Sequence, residues 1–154
     1  MSRRSDRAFW RGYNKQTKEW MYGSLVVAII DGEEVFLIVR RFDNIQQPEK
    51  DLNEFVTKGS IVAKDSIGQY TGYDDDWGFP IFEGDYVKTD CDGGPEWHKV
   101  EWDDQEERFH LYAGSMCTTD EDFQEYMIAY DNEVDGNAYE CDNDLKPYPW
   151  EAKA

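Results

Sequence analysis

Residues 85–112, DYVKTDCDGGPEWHKVEWDDQEERFHLY, decide the fold class that the sequence predicts. Three pieces of this stretch alternate apolar and polar residues: 85–89, 98–102 and 108–112. A period of two places one face of a strand on a core and the other in water. The polar sequences between the pieces are typical of loops. We therefore expect three antiparallel strands, arranged by analogy as in a small SH3-like barrel.

Toward the N-terminus, two apolar runs flank an Asp31-Gly32 pair and predict a hairpin over 25–39. Asp-Gly is a strong signal for a two-residue hairpin turn. Glu33 and Glu34 leave a longer loop open as an alternative.

The only segment with a helical pattern follows the three strands. Thr118-Thr119-Asp120-Glu121 has the spacing of a capping box and predicts a short helix near 119–126. The predicted class is therefore mainly β, with short antiparallel strands, an SH3-like barrel-type C-terminal half and this one helix. An α+β assignment stays open.

The net charge of −18 is distributed unevenly along the 154 residues. Residues 1–64 hold 11 Lys/Arg and 9 Asp/Glu (+2), whereas 65–154 hold 5 and 25 (−20). We expect an N-terminal β region over 1–64 and an acidic β region over 65–154, packed as one structural unit. Because 16% of the residues are aromatic, the chain does not resemble charged disordered sequences.

Targeting signals are not evident in the sequence. The basic N-terminus lacks the apolar segment of a signal peptide, and the longest apolar run, 25–30, is too short to cross a bilayer. Cys91, Cys117 and Cys141 are widely spaced and odd in number, which is typical of reduced thiols in the cytoplasm. We expect no membrane association.

Candidate sites for chemistry are weak. Counted as a calcium loop from Asp74, the sequence has Phe79 where glycine is needed, so a solvated turn is favoured. His98 and His110 lack the ligand spacing of a zinc site with Cys91 or Cys117, and they are expected to be partly buried or at the surface. Nucleophile and phosphate-loop motifs are absent. The sequence predicts no catalytic residue, metal or cofactor, and a protein that is not an enzyme.

Residues 67–87, IGQYTGYDDDWGFPIFEGDYV, resemble the central signature of the YopX family of phage and prophage proteins. The N-terminal segment 9–22, the Val-x-Trp-Asp strand 100–103 and the closing segment 134–140 are similar to the family's other motifs. The sequence departs from the family pattern at three positions: Gly12 and Tyr13 replace Ala-Trp, and Asp135 replaces an aliphatic residue.

The resemblance implies a mainly β fold, a phage origin within a bacterial host cell, and no assigned reaction. The positions that carry the signature are expected to be structural: Gly68, Gln69, Tyr70, Thr71, Gly72, Gly78, Glu83, Gly84, Asp85, Trp102, Gly136 and Asn137.

The charge asymmetry suggests two functional hypotheses. A basic arm, consisting of Arg3, Arg4, Arg7 and Arg11, is complementary to an acidic candidate interaction surface, which consists of Asp74, Asp75, Asp76, Asp103, Asp104, Glu106 and Glu107. The first hypothesis is a non-enzymatic phage accessory protein that forms homo-oligomers through these surfaces. The alternative is an acidic inhibitor of a host nucleic-acid-binding protein by charge mimicry. Direct binding of nucleic acid is not expected, because the surface repels phosphate.

Overall fold

The computed structural model describes residues 9–39, 60–91, 94–113, 121–122 and 131–151. The chain divides into two compact units, Met1–Gln69 and Tyr70–Ala154. No helix among the described residues is long and apolar enough to cross a membrane.

The first unit is built from antiparallel strands. Its elements are β1 (Trp10–Asn14), β2 (Glu19–Ile30), β3 (Glu33–Val39), β4 (Ser60–Ile61) and a 3-10 turn (Lys64–Ser66). Their order in the sheet is β4-β3-β2-β1, and β1 pairs on its other side with Gly68 and Gln69 at the start of the next strand. Asp31 and Gly32 have φ of 53° and 82°, so the predicted hairpin closes through a two-residue turn. Glu33 and Glu34 belong to β3 and do not lengthen the loop.

The second unit contains most of the acidic region. Its elements are β5 (Gly68–Asp74, which starts in the first unit), β6 (Pro80–Phe82), β7 (Asp85–Cys91), β8 (Gly94–Asp103), β9 (Arg108–Ala113), β10 (Glu121–Asp122), β11 (Asn132–Asn137) and the helix α1 (Ala138–Asp142). One sheet has the order β10-β9-β8-β7-β11. Its core contains Ile81, Val87, Val100 and Leu111, all fully buried.

The mainly β prediction is confirmed, and β7, β8 and β9 are the three predicted antiparallel strands. In the part of the chain that the structure describes, their sheet has two different end strands, β10 and β11, and is not closed into a barrel. The SH3-like comparison is therefore limited to the three consecutive strands β7, β8 and β9.

The helix predicted near 119–126 is contradicted at two of its residues. Within 119–126, Glu121 and Asp122 form β10, paired with Leu111 and His110 of β9, and the other residues lie outside the described ranges. At these two residues the sheet edge supplies backbone partners. The sequence analysis did not identify the described helix, α1, which begins after Asn137. The side-chain oxygen of Asn137 accepts a hydrogen bond from the Glu140 N–H at 2.9 Å, so Asn137-Ala138-Tyr139-Glu140 is a capping sequence.

The Glu83-Gly84-Asp85 turn links the signature to the core. Asp85 is 1% exposed, and its carboxylate accepts a hydrogen bond from the Phe82 N–H at 2.8 Å. Gly84 has a φ of 92°, and its backbone bonds both Val100 and Ala138. The turn is therefore a structural connection between β8 and α1.

Candidate functional site

The loop between β5 and β6 is organised by one buried carboxylate, that of Asp75. Asp75 Oδ1 accepts hydrogen bonds from the N–H groups of Trp77 (3.0 Å) and Phe79 (2.8 Å). Asp75 Oδ2 accepts from the N–H of Val134 at 2.9 Å, which ties the loop to β11. Gly78 supplies a φ of 87°, which glycine adopts without strain. These three hydrogen bonds fix the backbone of the loop against β11.

The neighbouring Asp76 adds a second tie to β11. Its Oδ2 accepts from the Asn132 N–H at 2.9 Å, and its own N–H donates to the Asn132 carbonyl at 3.2 Å. Held in this way, the loop leaves Trp77 75% exposed and Phe79 64% exposed. Large aromatic rings displayed on a fixed loop are typical of binding surfaces.

Trp77 lines a cleft of about 610 Å³. The cleft is lined by Asp76, Trp77, Lys88, Asp90, Asp131, Asn132 and Glu133. All of these residues belong to the second unit. The volume lies within the range of small-ligand and side-chain pockets.

The described basic residues of the second unit are paired with carboxylates. Each of its Lys and Arg residues in the described ranges contacts a glutamate: Lys88–Glu133 at 3.6 Å, Lys99–Glu101 at 2.9 Å, Arg108–Glu106, and Lys146–Glu140 at 3.3 Å. Among the described residues that line the cleft, Lys88 is the single cation, and it stands against four carboxylates. The cleft therefore retains a local excess of negative charge.

An indole face beside carboxylates matches the chemistry of a guanidinium or ammonium group. A cation can stack on the ring while its N–H groups donate to the carboxylates. The sequence analysis identified neither Trp77 nor Asp90, Asp131 and Glu133. A tryptophan within an acidic turn is the signal in the sequence that could have indicated the site.

The predicted acidic surface divides into structural and exposed members. Asp75 is 6% exposed and belongs to the loop's internal hydrogen bonds, which corrects its placement on that surface. Asp74, at the end of β5, is exposed and accepts a hydrogen bond from the Tyr70 hydroxyl at 2.8 Å. Asp103, Asp104, Glu106 and Glu107 lie together at the β8–β9 turn, where Asp103 is half-buried and the others are exposed.

Both histidines are fully buried, contrary to the expectation of partial burial or exposure. His110 Nε2 lies 3.0 Å from Asp103 Oδ2 and 3.7 Å from Glu106 Oε2, and these three groups could in principle ligate an ion. Arg108 Nε donates a hydrogen bond to Glu106 Oε2, so one carboxylate of the cluster already has a cationic partner. Hydrogen bonds from the backbone N–H groups of Glu106 and Gln105 lower the pKa of Asp103, and His110 and Arg108 add to this. We assign no ion to the cluster.

Arg11 is not part of an accessible arm. It is 6% exposed within β1, and its guanidinium lies over the Trp20 ring at 4.8 Å from the centroid. This placement corrects its assignment to the basic arm, because an aromatic neighbour inside the sheet holds it. Arg3, Arg4 and Arg7 lie outside the described residues.

The aromatic residues of the acidic region are only partly core. Trp97 is 7% exposed, and its indole N–H donates to Asp135 Oδ2 at 2.8 Å. This bond accounts for the polar residue at 135, where the resemblance implies an aliphatic one. Trp102 is 41% exposed and makes an edge-to-face contact with Phe109 at 4.9 Å.

The remaining signature residues lie in strands, turns or a cap. Gly68, Gln69, Tyr70, Thr71 and Gly72 form most of β5, and Gly136 precedes the helix cap with a φ of 93°. Burial raises the pKa of the Cys141 thiol, an environment that disfavours the nucleophilic thiolate.

The fold and the cleft define a small acidic protein of antiparallel strands with an aromatic and carboxylate surface site. The chain belongs to the YopX protein family, whose model matches residues 9–146. It is also similar in fold to protein EF1440 from Enterococcus faecalis, with 19% identity, a TM-score of 0.50, and coverage of 90% of this chain and 97% of that one. None of the curated proteins compared with this chain matches it.

Proposed function

We propose that this protein is a phage- or prophage-encoded accessory protein, without enzymatic activity, that self-associates. In this proposal the acidic cleft beside Trp77 receives the basic N-terminal sequence of another copy, with Arg3, Arg4 and Arg7 supplying the cations.

The observation that carries the proposal is the exposed Trp77 on a loop fixed by Asp75 and Asp76, next to unbalanced carboxylates. A preformed site loses little conformational entropy on binding, so its contacts contribute to affinity. Arginine fits the site well, because its planar head stacks on indole and donates to two carboxylate oxygens at once.

Light scattering of the full chain tests the proposal across a salt series. From ~0.01 M to ~1 M salt the Debye length falls from about 30 Å to about 3 Å, so the oligomer mass is expected to fall. Trp77→Ala should weaken the salt-sensitive association by roughly 3- to 30-fold, the range of a cation–π contact. The triple change of Arg3, Arg4 and Arg7 to glutamine should weaken it further.

Trp102→Ala is the matched control, since Trp102 is a second exposed tryptophan outside the cleft. It should leave the salt-dependent mass unchanged. Oligomer mass that is independent of salt, or equal effects of the two alanine variants, would contradict the proposal.

A further inference from the structure

The first unit has an unpaired strand edge on β2 in the part of the chain that the structure describes. On β2, β1 pairs with Glu19–Gly23, and β3 pairs with residues 24–30 along one side. No described strand lies on the other side of 24–30. Such an edge presents backbone donors and acceptors to another strand.

The direction of these backbone groups follows from the register. The Val62 N–H donates to the Phe36 carbonyl, so the backbone N–H and C=O groups of Phe36 point toward β4. The backbone groups of its neighbours, Val35 and Leu37, therefore point toward β2. Their partners on β2 are Ala28 and Val26. Since the direction alternates along a strand, the N–H and C=O groups of Leu25, Val27 and Ile29 are directed to the open edge.

The side chains along this edge are apolar and exposed. Val27 is 52%, Ile29 72% and Ile30 42% exposed. Residues 24–30 carry no charge, and their β-branched side chains favour strand pairing. A long, uncharged, apolar edge of this kind is normally covered.

We infer that the edge of β2 is a homodimer interface in which two copies of the strand pair antiparallel about a two-fold axis at Val27. In this register Val27 lies opposite its own copy, and Leu25 lies opposite Ile29 of the second copy. The three residues whose backbone groups face the edge then pair with one another. The contact lies in the first unit and is separate from the cleft.

A second copy fits this edge because the edge is self-complementary, as a two-fold interface requires. Charge favours the same occupant. Residues 1–69 hold 11 basic and 10 acidic residues, a net charge of +1, whereas residues 70–154 hold 5 and 24, a net charge of −19. Two copies of the first unit can therefore approach each other without strong repulsion, whereas two copies of the second unit repel each other.

Val27→Pro tests the inference by analytical ultracentrifugation of the full chain at ~1 M salt, where exposed ionic contacts are screened. Proline removes the N–H that is directed to the open edge, while the hairpin bonds made by Val26 and Ala28 stay. The unmodified protein should be a dimer, and the variant's dissociation constant should rise about tenfold or more, since two hydrogen bonds are lost per dimer.

Two further variants separate dimer loss from misfolding. Ile29→Lys keeps every backbone donor and places a charge at the interface, so it should also give a folded monomer, checked by circular dichroism. Val27→Thr keeps the N–H group and the β-branched shape and should remain dimeric.

Cross-linking distinguishes a second copy from other occupants of the edge. Val27→Cys should give a covalent dimer with a short thiol linker, whereas Thr17→Cys, at the exposed β1–β2 turn, should not. A monomer at ~1 M salt would overturn the inference and leave the cleft proposal standing. If the cleft proposal alone is wrong, the protein will be a dimer at ~1 M salt, and its oligomer mass will not increase when the salt concentration is lowered.

Discussion

Asp75 stands in a run of three aspartates that are alike in the sequence and different in the fold. Asp74 and Asp76 are exposed, while Asp75 is buried and accepts three backbone N–H bonds. A charged acceptor suits this role, because hydrogen bonds to ionised groups are stronger than neutral ones. One buried residue thereby determines how Trp77 is displayed.

Asp75→Asn is expected to lower the free energy of unfolding by about 2 kcal/mol. Asparagine has a single side-chain acceptor oxygen, so it cannot serve all three N–H groups. Urea denaturation measures the change. Asp74→Asn is the matched control and should cost less than about 0.5 kcal/mol, and equal costs would show that burial of Asp75 is unimportant.

At the scale of elements, β1 packs closely on the segment that follows β4. A Cβ placed on Gly12 would lie 2.6 Å from Val62 Cγ2, and Val62 is 5% exposed. The close approach explains why glycine is present where the resemblance implies alanine. Strand and segment are also joined by the Ala63 N–H, which donates to the Tyr13 carbonyl at 3.0 Å.

Gly12→Ala should therefore destabilise the protein by about 1–3 kcal/mol through overpacking. Without the contact, alanine in a strand would be favoured by about 0.5–1 kcal/mol. Adding Val62→Ala should recover part of the loss, and a double-mutant cycle by urea denaturation measures the coupling. Additive effects of the two changes would contradict a clash at this position.

At the scale of the whole molecule, two tyrosines in the second unit make stability depend on alkaline pH. In the C-terminal segment the Tyr148 hydroxyl donates to Asp142, a bond that raises the pKa of Tyr148 from 10.0 to about 12. Burial raises the pKa of Tyr86 as well, and its ring contacts both Tyr148 and Trp150.

A pKa that is higher in the folded than in the unfolded state stabilises the protein below the unfolded value. This contribution is therefore complete below pH 10 and is lost as the pH rises toward about 12. Urea midpoints measured across that interval should decline, and they should decline less in Tyr148→Phe. Parallel curves for the two proteins would contradict the role given to Tyr148.

The sequence alone was sufficient for the mainly β class, the Asp31-Gly32 hairpin and the strands β7, β8 and β9, because period-two alternation and turn residues act locally. It also identified the family from ordered motifs between residues 9 and 140, and the family model matches residues 9–146. The sequence analysis missed the capping sequence Asn137–Glu140, and it placed Glu121 and Asp122 in a helix although they pair with β9, because strand pairing is a tertiary contact.

Only the tertiary structure decided which charges and rings are available. Asp75 is buried and bonds Val134, which is distant in sequence, whereas Arg11 is buried beside the Trp20 ring on the neighbouring strand β2. Trp77 is exposed because the loop is fixed from β11, more than fifty residues away. Composition determines the total charge, but burial and pairing are long-range contacts, which local patterns do not encode.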